Sequence, residues 1–176
     1  FFAVSGATGP QTRELVQAAR AAGAIIYYDI NFRRNHPADP ATVEANIALS
    51  DIVRGSDEDI QNLWGDPDPA RVYRERIAPR CPNYICTKGA QPAEVFSPGV
   101  HACFETEPVA RVVSTIGAGD NFNAGIVYGI LRHGFTRERL RSLSEADWRL
   151  LVPTAMRFSA EVCGSLQNYV GPDFQP

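Results

Sequence analysis

Along the chain the apolar residues switch repeatedly between short continuous runs, as in buried strands, and the three-to-four-residue spacing of helices. Residues 1–5 (FFAVS) are an apolar run that predicts a buried strand already under way, so the chain is expected to be a fragment of a longer protein. In residues 10–22, Leu15, Val16, Ala19 and Ala22 fall at helical spacing, with Thr8 as the expected cap and Gly23 as the stop. Residues 24–29 predict a second strand, followed by a polar loop carrying Asn31, Arg33, Arg34, Asn35 and His36. A strand-helix-strand succession implies parallel pairing.

The alternation continues. Residues 39–49 predict a helix, 51–53 a short strand, and Ser56 opens a helix reaching Trp64. Pro67 and Pro69 start a further helix to Ile77, and 84–87 form a strand. Two extended pieces, 93–97 and 100–105, flank Pro98-Gly99 as a hairpin. A strand over 109–114 then runs into a helix over 118–132. The last helix, 145–163, has Ser144 and Asp147 as a capping pair and Pro153 inside it. This order predicts one α/β domain over residues 1–176, a three-layer arrangement with a mainly parallel sheet flanked by helices.

Composition narrows the partners. The chain is 44% hydrophobic and 21% charged, as a packed globular domain requires, and its formal net charge is -3. Without a basic surface, neither nucleic acid nor an anionic membrane is an expected partner, and a small molecule is. Cys81, Cys86, Cys103 and Cys163 lack CxxC spacing, so reduced thiols are expected rather than a zinc site. No apolar run has the length of a membrane span and the opening residues lack the basic start of a signal peptide, so the expected location is cytoplasmic.

The chemistry concentrates in residues 114–125, S-T-I-G-A-G-D-N-F-N-A-G, where a predicted strand meets a predicted helix. Small residues at a helix start leave backbone amides open to an anion, which the helix dipole also favours. A carboxylate there, Asp120, would repel a bound phosphate. It therefore suits another task, such as taking a proton from an attacking hydroxyl. Phe122 stands where a dinucleotide fingerprint needs its third glycine, and no GK[ST] follows, so neither familiar glycine motif applies. The plainer alternative is that the glycines serve close packing and Asp120 is a favourable first-turn charge.

Residues 114–122 resemble the signature of the ribokinase-like, or PfkB, carbohydrate kinases, D-T-x-G-A-G-D-x-F, at every fixed place except Ser114. The resemblance implies an anion hole at Gly117, Ala118 and Gly119, with Asp120 as the catalytic base. Ser114 replaces an acid that several members use for a monovalent cation, so weak or no cation binding is expected. Weaker resemblances follow in the family's order. Residues 29–33, D-I-N-F-R, are similar to a loop of ketodeoxygluconate kinases and fructokinases, implying that Asn31 and Arg33 approach phosphate or acceptor; a simple turn is the alternative. Ser56 and Asp59 match the marked places of an N-x-x-E segment near magnesium and phosphates, which implies Ser56 at the nucleotide and Asp59 at the metal; the pair equally reads as a helix cap. Thr87 and Gly89 resemble part of a T-x-G-x-x-G turn bordering the nucleotide, with Pro92 at the last glycine, and also read as a tight turn into a hairpin. Ala160 stands where the family's terminal helix has an Asn beside adenine.

The resemblance implies a kinase using ATP and Mg2+, with a sugar or sugar acid of the 2-keto-3-deoxygluconate or fructose type as acceptor, and a homodimer is compatible with it. Nothing matches the family's early Gly-Gly-x-x-x-Asn segment, so the sugar-contacting N-terminal part and lid are expected to be absent from this chain. The alternative is a regulatory domain of the same fold that binds nucleotide or sugar without turnover.

Overall fold

A computed structural model describes residues 9–32, 40–106 and 108–176. The strand expected over residues 1–5, the Thr8 cap and the loop residues Arg33 to His36 lie outside the described residues. In chain order the elements are α1 (Gly9–Ala21), β1 (Tyr27–Asp29), α2 (Pro40–Ile47), β2 (Ile52–Ser56), α3 (Asp57–Trp64), α4 (Pro69–Val72), β3 (Tyr84–Lys88), β4 (Gln91–Ser97), β5 (Val100–Phe104), α5 (Ala118–Arg132) and α6 (Glu145–Cys163). α4 continues as a π-helical turn over Tyr73–Ile77. The chain divides into two compact units, Phe1–Cys103 with Thr136–Leu143, and Phe104–Phe135 with Ser144–Pro176.

The first unit carries a five-stranded sheet in the order β1-β2-β3-β4-β5. The pairings β1-β2 and β2-β3 are parallel, as the strand-helix succession predicts, whereas β3-β4 is antiparallel. The register between β3 and β4 shifts between Cys86 and Lys88. Opposite that shift lies Pro92, which has no amide to give to a ladder. Ile47, Val53, Ile60, Ile77, Tyr84 and Phe96 are buried in one apolar cluster.

A polar hub pins the sheet's lower half. The Asn83 side chain is fully buried and donates to the carbonyls of Asp51 at 2.8 Å and Leu140 at 2.5 Å, while its own oxygen accepts from Ser97 at 2.8 Å. Buried amides of this kind are tolerated only when so satisfied. Asp51 in turn accepts from the Ile26 amide and from Arg137 Nε, both at 2.9 Å.

In the second unit α5 packs on α6 through glycines. A Cβ at Gly125 would come within 2.5 Å of Ala155 Cα, and one at Gly129 within 2.9 Å of the Leu151 side chain. α6 starts with the expected capping box, in which Ser144 Oγ accepts from the Asp147 amide and the Asp147 carboxylate accepts from the Ser144 amide. The expected strand over residues 109–114 does not form. Its Val113 and Ser114 amides donate to the Cys163 carbonyl at the end of α6, at 2.8 and 3.3 Å, so they are unavailable to a ladder. Among the described residues no helix is long and apolar enough to cross a membrane.

All four cysteines are free thiols, with Cys81 and Cys86 buried and Cys103 exposed. Burial pushes the Cys81 thiol up to about 12 and that of Cys86 up to about 11, from an ordinary value of 9.0. Raised values mean that the folded state holds these protons longer than the unfolded chain. Their stabilising contribution is full below the ordinary thiol range and declines as pH rises through 9 towards the folded values. Alkylation by iodoacetamide at pH 8 is therefore expected to modify Cys103 first and to reach Cys81 and Cys86 only on unfolding. Mass mapping that shows Cys86 modified as fast as Cys103 in the folded protein would contradict this burial.

Candidate functional site

Two groups of expected site residues are assembled, one in each unit. In the first unit the parallel strands end together. Asp29 pairs in register with Arg54, and Ser56 with Thr87, so the loop after β1, the start of α3 and the end of β3 share the carboxyl edge of the sheet. In open α/β sheets that edge is where ligands bind.

Asp59 organises this edge. Its Oδ2 accepts from the Ser56 amide and hydroxyl, both at 2.7 Å, and its Oδ1 accepts from the Phe32 amide at 2.7 Å. The first contacts complete the capping box of α3, whose other half is the Asp59 amide donating to Ser56 Oγ. The third ties the loop after β1 to the helix start. Asn31, immediately before Phe32, has a φ of 39°, a left-handed conformation that Asn tolerates better than most residues. Thus Ser56 and Asp59 do form the cap, and the same carboxylate also shapes the loop that carries exposed Asn31. Arg33, the other loop residue expected to act, lies outside the described residues.

Arg54 is a residue that the sequence reading missed. It extends from β2 to both neighbours, donating to Asp29 Oδ1 on β1 at 3.1 Å and to Thr87 Oγ1 on β3 at 2.5 Å. Burial works against its charge, but Asp29, with Tyr27 and Asp59, together outweigh burial and hold the guanidinium above its ordinary pKa. The signal was a charged residue inside the apolar run I-V-R-G-S, which a strand buried on both faces accepts only with a partner. Gly89, two residues after Thr87, has a φ of 58° in the β3-β4 turn, a conformation glycine adopts without strain.

In the second unit, α5 begins at the glycine turn. Gly117 is its N-cap, with φ 84° and no side chain to cap the helix. α3 and α6 have their first amides satisfied by Ser and Asp. α5 has no side-chain cap: the Ala118 amide donates to the Thr115 carbonyl at 3.2 Å, and the Gly119 and Asp120 amides belong to the first turn, which has no intrahelical acceptors for them. Asp120 is the acid of that turn and is exposed. The turn is held from behind by buried Asn121, whose side chain donates to the carbonyls of Gly117 at 3.0 Å and Asn168 at 2.8 Å. A Cβ on Gly117 would lie 2.8 Å from Asn168 Cβ. Ser114 Oγ accepts from the Ile116 amide at 3.2 Å, closing the approach to the turn. Asn121 was also missed, because an Asn in a first helical turn resembles any polar surface residue.

The same unit contains an open cleft of about 870 Å3, lined among others by Ala110, Arg157, Ala160, Gly164 and Phe174. Ala160 is the expected site residue on its wall. Arg157 is fastened to the terminal segment through the Gln175 carbonyl at 2.7 Å.

A family model described as pfkB family carbohydrate kinase matches residues 2–163. A fructokinase of Rhizobium leguminosarum bv. trifolii is 32% identical over 146 residues, covering 79% of this chain and 44% of its own length. A fructokinase of Vibrio alginolyticus is 28% identical over 88% of this chain and 48% of its own. The chain thus spans about half the length of the curated relatives it matches. Among solved structures, a fructokinase with bound ATP from Xylella fastidiosa superposes with a TM-score of 0.79 at 22% identity, over 92% of this chain and 52% of its own. An aminoimidazole riboside kinase from Salmonella enterica gives 0.76 at 22% identity, over 94% and 54%. These likenesses establish a shared α/β fold.

The geometry at Gly117 makes a stringent test. Gly117→Ala combines a left-handed backbone with a contact against Asn168, so it is expected to lower stability by more than about 1 kcal/mol and to reshape the turn. Urea unfolding of the two proteins measures this. Equal midpoints and slopes would show that the turn does not depend on the Gly117-Asn168 approach.

Proposed function

We propose, because the chain belongs to the pfkB family of carbohydrate kinases, that this protein transfers the γ-phosphoryl group of ATP to a hydroxyl of a sugar or sugar acid. The observation that supports this most directly is the uncapped start of α5, which presents open amides beside an exposed carboxylate. A positive helix end lined by glycine suits a phosphate, and the adjacent acid suits the proton of an attacking alcohol.

In this reading Asp120 accepts the hydroxyl proton as the new O-P bond forms and the bond from the γ-phosphorus to the bridging oxygen breaks. The amides of Gly117, Gly119 and Asp120 stabilise charge on the transferring group, whereas that of Ala118 donates to the Thr115 carbonyl. Asn31, with Arg33, holds phosphate or acceptor, and Thr87 and Gly89 border the nucleotide. Arg54 acts through Thr87, fixing the hydroxyl's direction. Ala160 lines the cleft that takes the base, where a small side chain leaves room in place of a hydrogen bond. Magnesium, when bound with the nucleotide, would supply charge neutralisation at the phosphates, with most of its ligands coming from ATP and water rather than from this chain. Asp59 suits a supporting part, since both of its oxygens already accept from Phe32 and Ser56. Fructose is the first acceptor to test, because the curated relatives are fructokinases, and 2-keto-3-deoxygluconate the second.

In the intact protein, Asp120→Asn is expected to leave ATP affinity within about threefold by calorimetry and to lower turnover by about a hundredfold or more, the scale of a positioned base. A coupled assay for ADP release over a panel of sugars and sugar acids provides the rate. Turnover unchanged by the substitution would remove Asp120 from the chemistry. ATP binding without phosphorylation of any acceptor in the panel would instead favour a regulatory domain that keeps the fold.

A further inference from the structure

The hairpin at the edge of the sheet brings three different donors onto one face. Glu94 lies on β4, and His101 and Cys103 lie two residues apart on β5, so the pleat directs both β5 side chains to the same side. Their ligand atoms, a carboxylate oxygen, an imidazole nitrogen and a thiol sulfur, all fall within 4.8 Å of one another. The ligands of a tetrahedral Zn2+ ion stand about 3.5 Å apart, given bonds of about 2.0–2.3 Å. Modest side-chain rotation therefore closes this group around one ion.

The group is also held in place. The His101 ring stacks on Phe96 at 4.4 Å with an interplanar angle of 19°, and its Nε2 meets Glu94 Oε2 at 2.7 Å. Glu94 also accepts from Lys88 Nζ. Burial would raise its pKa, but the hydrogen bonds from Lys88 and His101 outweigh this and hold the carboxyl below its ordinary value. Two strands thus fix two ligand stems, and β5 is the outermost strand, so the third donor, Cys103, faces solvent.

We propose that Glu94, His101 and Cys103 form a binding site for a borderline-soft divalent transition ion, Zn2+ foremost, with a fourth position left to water. A sulfur-nitrogen-oxygen set selects such an ion over Mg2+ or Ca2+, which take oxygen ligands. On binding, Cys103 loses its proton to solvent, and thiolate and carboxylate together neutralise the ion. The bond between His101 Nε2 and Glu94 Oε2 is replaced by a bond from each atom to the ion, with the imidazole proton carried on Nδ1, while Lys88 stays on Glu94 Oε1. This site shares no residue with the glycine turn and does not depend on the kinase reading.

The test uses Co2+ as a spectroscopic substitute for Zn2+ in the intact, reduced protein. One equivalent of Co2+ should give a near-ultraviolet thiolate-to-metal band together with visible bands of a four-coordinate ion. The thiolate band should vanish in Cys103→Ser, and affinity should fall at least tenfold in His101→Ala and in Glu94→Gln. Zn2+ should displace the cobalt spectrum and slow alkylation of Cys103. Circular dichroism and urea unfolding of each variant separate loss of metal from loss of fold. A thiolate band that survives Cys103→Ser, no band at all at millimolar Co2+, or unchanged affinity in folded His101→Ala would each overturn the proposal.

Discussion

A guanidinium largely withdrawn from water into a sheet needs partners there, and the parallel part of this fold is arranged around that requirement at Arg54. The side chain is only 12% exposed. It bonds sideways in both directions, to Asp29 and to Thr87, so one cation ties three strands at their carboxyl ends. Removing one partner of such a buried pair typically costs about 3–5 kcal/mol, whereas a hydrophobic replacement of the whole set need not destabilise at all. The arrangement is therefore better understood as fixing geometry than as adding stability. It orients a threonine hydroxyl and a carboxylate at the edge where the loop after β1 and the start of α3 also end.

The helix starts divide the labour. At α3 and α6 a serine and an aspartate satisfy each other's backbone, and the helix dipole is consumed locally. α5 has glycine at the same position and gives up that side-chain cap, a loss of only about a few tenths of a kcal/mol when the replacement is glycine. Its compensation comes from behind the turn, where Asn121 satisfies two carbonyls, and along the helix, where Gly125 and Gly129 allow the close approach of α6. The open amides are thus supported by packing and by hydrogen bonds that do not compete with a ligand.

Much of this is legible in the sequence, for a physical reason. Features that depend on neighbouring residues were legible: α5 and α6 begin and end at residues 118–132 and 145–163 as expected, and the Ser56-Asp59 and Ser144-Asp147 caps form. Features that depend on distant partners were not. The run V-A-R-V-V-S has the composition of a strand, but its amides are taken by the end of α6, 50 residues on in the case of Val113 (163 - 113). Arg54 was missed because its partners come from other strands. Asp59 was legible as a cap, whereas its bond to the Phe32 amide, 27 residues earlier, was not. Glu94, His101 and Cys103 lack the spacing of a familiar metal motif, since cross-strand pairing brings them together.

The clamp on the glycine turn has an implication for how the protein is made. Asn168 lies 47 residues beyond Asn121, to which it offers its carbonyl, and it is also the residue that stands against Gly117. During synthesis from the N-terminus, α5 can coil as soon as its own residues are free, but the turn at its head lacks its rear support until Asn168 has emerged. Until then the glycines retain their full backbone freedom. A nascent chain would thus complete this turn only after the sheet and both long helices have been made, so the last segment of the fold to be synthesised fixes the start of a helix made much earlier.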